Sequence, residues 1–132
     1  MNKSVFASHG SFTIEIDENC RIVDGRGPYN QEIVQEYEHA IAGAIDTLSG
    51  GSWTQIIILH GLSLFTPDAA ARLKQTVLMR KTRGLTASAV VIGDVDGKNT
   101  VTQQMQSIYQ ECGIAFDFFD NVDSAQIWLK TL

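Results

Sequence analysis

The side chains of this 132-residue chain that could do chemistry are few, and their spacing excludes more than it permits. His9, His39 and His60 form no i, i+4 pair and have no accompanying Cys or carboxylate cluster, so they predict no zinc site. His60 ends an apolar run and reads as a core histidine with its hydrogen bonds satisfied. The stretch "DVDGKN" at 94–99 has the acids of a calcium loop. However, Gly97 is fourth instead of sixth, and Met105 holds the twelfth position, where a bidentate Glu belongs. A polar loop between a strand and a helix is expected there, at a position where α/β folds often bind ligands. "GLSLF" fails as a nucleophile elbow, because Phe65 replaces the last glycine and Ser63 lies too far before the helix. A P-loop and a dinucleotide fingerprint are both missing from the sequence. The expectation is a protein that is not an enzyme, with no catalytic residue, metal ligand or cofactor.

One hinge remains, inside "LHGLSLFTPDAAARLK" at 59–74. Thr66 can accept a hydrogen bond as an N-cap, and Pro67 fixes φ at the first helical position, where its missing N–H costs nothing. Asp68 meets the positive helix end. These three residues are sufficient to start a helix without any further role.

The elements that position this hinge follow from hydrophobic periodicity. "FTIEID" alternates with a period of two, as a strand with one buried face does, and "CRIVDG" follows after Glu18-Asn19 as the second arm of a hairpin. From Asn30, the residues Ile33, Val34, Tyr37, Ile41, Ala44, Ile45 and Leu48 form one helical stripe, which Ser49-Gly50-Gly51 ends. "TQIIILHG" and "TASAVVIGD" are apolar runs suited to central strands covered on both faces. Each leads into a helical pattern, which predicts crossover connections and partly parallel pairing. A third helix is expected over about 100–112, opened by "TVTQ" as a capping box and burying Val101, Met105, Ile108 and Cys112. "IAFDFF" reads as a strand, and the last helix presents Ala125, Trp128, Leu129 and Leu132. The expected fold is α/β: a mixed sheet of about five strands with four helices, in the order β-β-α-β-α-β-α-β-α, as one domain over 1–132.

The helix after the hinge has apolar residues on more than one side. Ala70, Leu73 and Val77 form one stripe, Ala71 and Leu78 another, and Met79 lies further round. Arg72, Lys74, Arg80, Lys81 and Arg83 fill the spaces between them. If the sheet covers one stripe and the first helix the other, the long cationic stems merely lie over apolar surface. If the second stripe is open, a basic helix with spare apolar surface suits an acidic protein partner or an anionic membrane. A shift of this helix would also let an acyl chain or similar apolar ligand in beneath it.

Composition sets the outer limits. A chain of this length with 44% hydrophobic residues holds one ordinary core, which buries roughly two-thirds of the unfolded surface. The net charge of −5 argues against nonspecific nucleic-acid binding, which needs many cations against phosphates. That average hides an asymmetry, since five of the ten Lys and Arg fall within 72–83. Cys20 and Cys112 stand far apart and fit buried thiols in a reducing compartment better than a disulfide. No secretory leader is evident in the opening residues, and no run approaches the roughly twenty apolar residues that span a bilayer. A cytoplasmic protein is expected, with peripheral attachment at the inner membrane face as a variant.

The order of elements resembles the STAS domain of bacterial anti-sigma-factor antagonists, in particular the SpoIIAA-like relatives, over nearly the whole chain. The family's strand-to-helix pattern is close to "D-L-S-G-V-x-F-I-D-S-S-G-L". "IIILHGLSLFTPDAAARL" can be laid on it without a gap, with Gly61 on the glycine, Leu64-Phe65 on the hydrophobic pair and Thr66 on the aspartate. "GIAFDFFDNVDSAQIWL" is similar to the family's ending, a strand, an acidic turn and a helix carrying "A-x-x-W-L". The resemblance implies a regulatory domain that works by protein contact. In phosphoregulated members the turn carries a serine that a partner kinase modifies. Here Pro67 and Asp68 stand at that point, with Ala69 for the glycine, so the usual switch is expected to be missing. Asp68 brings a single charge where a phosphoserine brings nearly two.

The leading expectation is therefore a non-enzymatic, STAS-like interaction domain acting through Thr66, Pro67 and Asp68 and the helix surface of Arg72, Lys74, Leu78, Met79, Arg80, Lys81 and Arg83. The alternative is a binding protein for a lipid or other apolar small molecule, loosely attached to membranes. Pairing into a homodimer is compatible with both.

Overall fold

The structure is a computed structural model that describes residues 3–9, 12–27, 30–61 and 63–132. Phe12, Ile14 and Ile16 are all buried, so β2 (Phe12–Asp17) turns one face to the core as its alternation requires. Glu18, in a left-handed conformation at φ 57°, reverses the chain into β3 (Cys20–Arg26), with Asp17 opposite Cys20. Ahead of this hairpin runs β1 (Lys3–His9), an antiparallel neighbour of β2 that the sequence reading did not assign.

Three strand-helix-strand crossovers follow. Helix α1 (Gln31–Leu48) leads to β4 (Trp53–Gly61), α2 (Pro67–Thr82) to β5 (Leu85–Val95) and α3 (Lys98–Cys112) to β6 (Ala115–Phe119), before α4 (Val122–Lys130) closes the fold. From β2 onward the order is β-β-α-β-α-β-α-β-α, as expected. The sheet runs β1-β2-β3-β4-β5-β6, antiparallel at the first two pairings and parallel at the last three. Three successive crossovers of one hand, all moving in the same direction across the sheet, put α1, α2 and α3 on the same face. Their buried residues join Phe12, Ile14, Val23, Ile57, Leu59 and Val90 in the main core. The opposite face carries a smaller cluster of Ile22, Ile56, Ala89 and Val91 under Ala125 of α4.

Local signals set most helix ends. Asn30 and Asn121 accept from Ile33 N and Ser124 N at 2.9 and 2.8 Å, as N-cap residues do. Two expectations are corrected. Helix α3 begins two residues before the proposed capping box, because Gly97, at φ 62°, turns the chain and its carbonyl accepts from Val101 N at 3.2 Å; no side chain caps it. Helix α4 stops at Lys130, so Leu132 misses the apolar stripe and is 65% exposed. Between α2 and β5, Gly84 has φ 110°, and a Cβ there would lie 2.2 Å from the Gly51 carbonyl oxygen. Only glycine permits that approach, which lets Trp53 Nε1 donate to the Arg83 carbonyl at 2.9 Å. Among the described residues, no helix is long and apolar enough to cross a membrane.

Candidate functional site

In the parallel part of the sheet, Arg21 lies opposite Gln55 and Gln55 opposite Ser88, so three polar residues form a row across β3, β4 and β5. All three are fully buried on the face that α1, α2 and α3 cover. Each helix supplies a polar partner to the row. Arg21 donates through one terminal nitrogen to Tyr37 Oη of α1 at 2.6 Å and through the other to Gln55 Oε1. Arg80 of α2, 1% exposed, donates to the same Gln55 oxygen at 3.1 Å and to Thr76 Oγ1 at 2.8 Å. Gln55 Nε2 donates to Ser88 Oγ at 3.0 Å and to Tyr109 Oη of α3 at 3.4 Å.

Two guanidinium groups thus share one neutral acceptor in the interior. Neither forms an ion pair with a described carboxylate, and the Nε of each has no hydrogen-bond partner. Aromatic faces offset part of the cost: both guanidinium carbons lie 5.5 Å from the Tyr37 ring centroid, and Arg21 lies 5.8 Å from that of Trp53. Burial lowers the Arg21 pKa, Tyr37 opposes that shift, and Arg80 adds to it. Burial alone pushes the Tyr37 phenol up, but Arg21 and Arg80 outweigh it and hold the group below its ordinary value. Tyr109, for which burial dominates, is raised.

Beside this cluster is a cavity of about 60 Å³. Val23, Gly25, Ile57 and Leu59 of the sheet, Ile33 and Val34 of α1, Leu73 of α2, Met105 of α3 and Phe65 make its apolar wall; Tyr37, Arg80 and Tyr109 are its polar part. One water needs roughly 10–15 Å³ on this measure, so about four to six water-sized groups fit. The strand residues run from the middle of β3 and β4 towards their C-terminal ends, joined by Phe12 at the start of antiparallel β2, on the side at which open parallel sheets receive ligands. Without Arg80 the site would resemble an ordinary packing gap. With it, apolar volume adjoins a cation that lacks a counter-ion.

A second polar group lies on the α4 face. His60 Nε2 lies 2.8 Å from Asp24 Oδ1 and its Nδ1 lies 3.3 Å from Asp94 Oδ2, while Arg26 stands 4.0 Å from the same Asp94 oxygen. His60 is therefore not a core histidine, because it projects from the face that α1 to α3 leave open. The nearby Ser63 hydroxyl donates to the His60 carbonyl at 2.7 Å and is not aligned with the ring as a nucleophile would be. No group of three His, Cys, Asp or Glu among the described residues could hold a metal ion.

The residues singled out from sequence separate in space. Thr66, Pro67 and Asp68 are exposed at the start of α2, and Thr66 Oγ1 accepts from Ala69 N at 3.2 Å as a cap. The second apolar stripe of α2, Ala71 and Leu78, does face outward, and Leu78 and, further round, Met79 are each 42% exposed. The cations do not form the expected open patch. Arg80 points inward, because its position falls on the same helical face as Leu73, Thr76 and Val77, and its placement on the surface is corrected. Arg72 pairs with Glu38 at 2.8 Å, Lys74 with Glu111 at 2.9 Å and Arg83 with Asp46 at 2.8 Å. The exposed Lys81 donates to the Cys112 carbonyl at 3.0 Å, at the negative end of α3.

Sequence reasoning missed Arg21, Gln55, Thr76, Ser88 and Tyr109, and it read Tyr37 only as a core position. A signal was present: Arg21, Gln55 and Ser88 each sit directly beside or within the apolar runs Ile22-Val23, Ile56–Leu59 and Ala87–Ile92. No protein-family model, curated protein or solved structure matches the chain.

Proposed function

We propose that this protein is a binding domain for a small, largely apolar molecule, taken into the cavity between the sheet and its three covering helices. The observation that carries the reading is that this largely apolar cavity adjoins buried Arg80, whose Nε lacks a partner. Specific small-molecule sites combine apolar walls with a few placed polar groups in this way. A ligand longer than a few atoms requires α1 and α2 to separate, against the Arg72–Glu38 and Arg83–Asp46 ion pairs that join them. Catalysis has no assigned role here, and a cytoplasmic location accords with the two unpaired cysteines. Native mass spectrometry of freshly purified protein tests the reading. A copurifying small molecule, or saturable uptake of added short-chain probes, is expected; the absence of both overturns it.

A second reading, regulation by protein contact as the STAS resemblance implies, is favoured by the outward-facing Leu78 and Met79, about three turns along α2 from the exposed turn at Thr66. Ion pairing along α2 leaves this surface more apolar than basic. Its partner would therefore present an apolar patch and not an acidic one.

A further inference from the structure

Resting on the small-molecule reading above, we infer that the ligand is a carboxylate, with its hydrocarbon part in the cavity and its oxygens received by Arg80 and Tyr37. The interior holds two positive charges and, within ion-pairing distance among the described residues, no negative one. A buried cation without an opposite charge is costly, and the group it lacks is an anion. Arg80 lines this apolar cavity with its Nε shielded just behind the wall, so an anion meets it from that side once the side chains around it shift.

The available donors define the head group. Each terminal nitrogen of Arg80 uses one of its N–H groups, for Gln55 and for Thr76, while Nε–H is wholly unengaged. Tyr37 Oη accepts from Arg21 and keeps its own proton to donate. Two donors suit the two oxygens of a carboxylate, and charge-assisted bonds of this kind are about twice as strong as neutral ones. A phosphate would bring a second charge and a third oxygen into a wall that is otherwise almost wholly apolar, at a greater desolvation cost. Elsewhere the wall is aliphatic or aromatic, which requires an apolar body. Gln55 and Arg21 act as positioning residues: one shared oxygen fixes Arg80, and the second guanidinium adds positive potential behind it.

The inference is tested on the full chain with butanoate and its neutral isostere butanamide, titrated by NMR chemical shifts, with hexanoate and hexanamide as the longer pair. Butanoate is expected to bind at least tenfold more tightly than butanamide. Tyr37→Phe should reduce that preference several-fold. Gln55→Glu, which puts a fixed carboxylate against both guanidiniums, should abolish it while amide binding persists. Equal binding of acid and amide by the unaltered protein overturns the carboxylate assignment and leaves the cavity reading standing. Inorganic phosphate competing as tightly as butanoate also overturns it. Failure of all four probes to bind overturns both readings.

Discussion

Arg21 of a strand and Arg80 of a helix converge on a single acceptor, Gln55 Oε1, and both guanidinium carbons lie 5.5 Å from the Tyr37 ring centroid. Like charges are held together in the interior by one amide and one aromatic face. This makes Gln55 the residue on which the layer between sheet and helices depends.

Gln55→Leu is therefore expected to destabilise the fold by about 3–5 kcal/mol, the range for removing a partner from a buried charge. The triple variant Arg21→Met, Gln55→Leu, Arg80→Met should recover most of that loss, because apolar groups of similar volume carry no desolvation cost. Urea unfolding measures both. A Gln55→Leu midpoint unchanged from wild type would mean that the guanidiniums find other acceptors.

The Tyr37 phenol has a native pKa below its unfolded value of about 10. A depressed acid stabilises the folded state fully above the unfolded pKa, and this contribution disappears as pH falls through the native pKa. The stability difference between wild type and Tyr37→Phe should therefore grow as pH rises from neutral towards 10. Tyr109, Cys20 and Cys112, all raised by burial, work in the opposite direction, losing stability as pH rises, but they are common to both proteins. Urea melts of the pair at pH 7 and pH 9.5 measure the difference; a constant gap would show that Tyr37 does not titrate early.

Thr66 caps α2 through its hydroxyl. Thr66→Ala should cost about 1 kcal/mol by thermal or urea unfolding, and Thr66→Ser should cost much less. A loss of that size, recovered by serine, is the expected sign of a capping role.

Ion pairs between α2 and Glu38, Asp46 and Glu111 neutralise three of the cations that would attract a membrane. Sedimentation with phosphatidylserine vesicles at physiological salt is expected to be no greater than with neutral vesicles. Strong binding that declines with added salt would restore the membrane surface as a partner.

Leu78→Ser with Met79→Ser should leave stability within about 0.5 kcal/mol, since both side chains lie on the outer face of α2. A larger loss in urea unfolding would show that these residues are covered in solution.

The hairpin of β2 and β3, the apolar runs of β4 and β5, the α1 stripe and the Thr66-Pro67 start of α2 were legible in the sequence. Each depends on periodicity or capping within a few residues. Strand β1 was not, because its residues 3–9 lack the apolar alternation that marks β2 and find their place by pairing with it. The candidate site was hidden for a different reason. Arg21, Gln55 and Ser88 belong to separate strands, and only the register of the parallel ladders sets them in one row. Arg80 looked like one more member of a basic run; the rotation of α2 against the sheet sent it inward and left Leu78 and Met79 outside. Local chemistry therefore determined which elements form and where most of them start and stop. Tertiary packing decided which polar side chains share the interior, because burial of a charge depends on what the rest of the chain places around it.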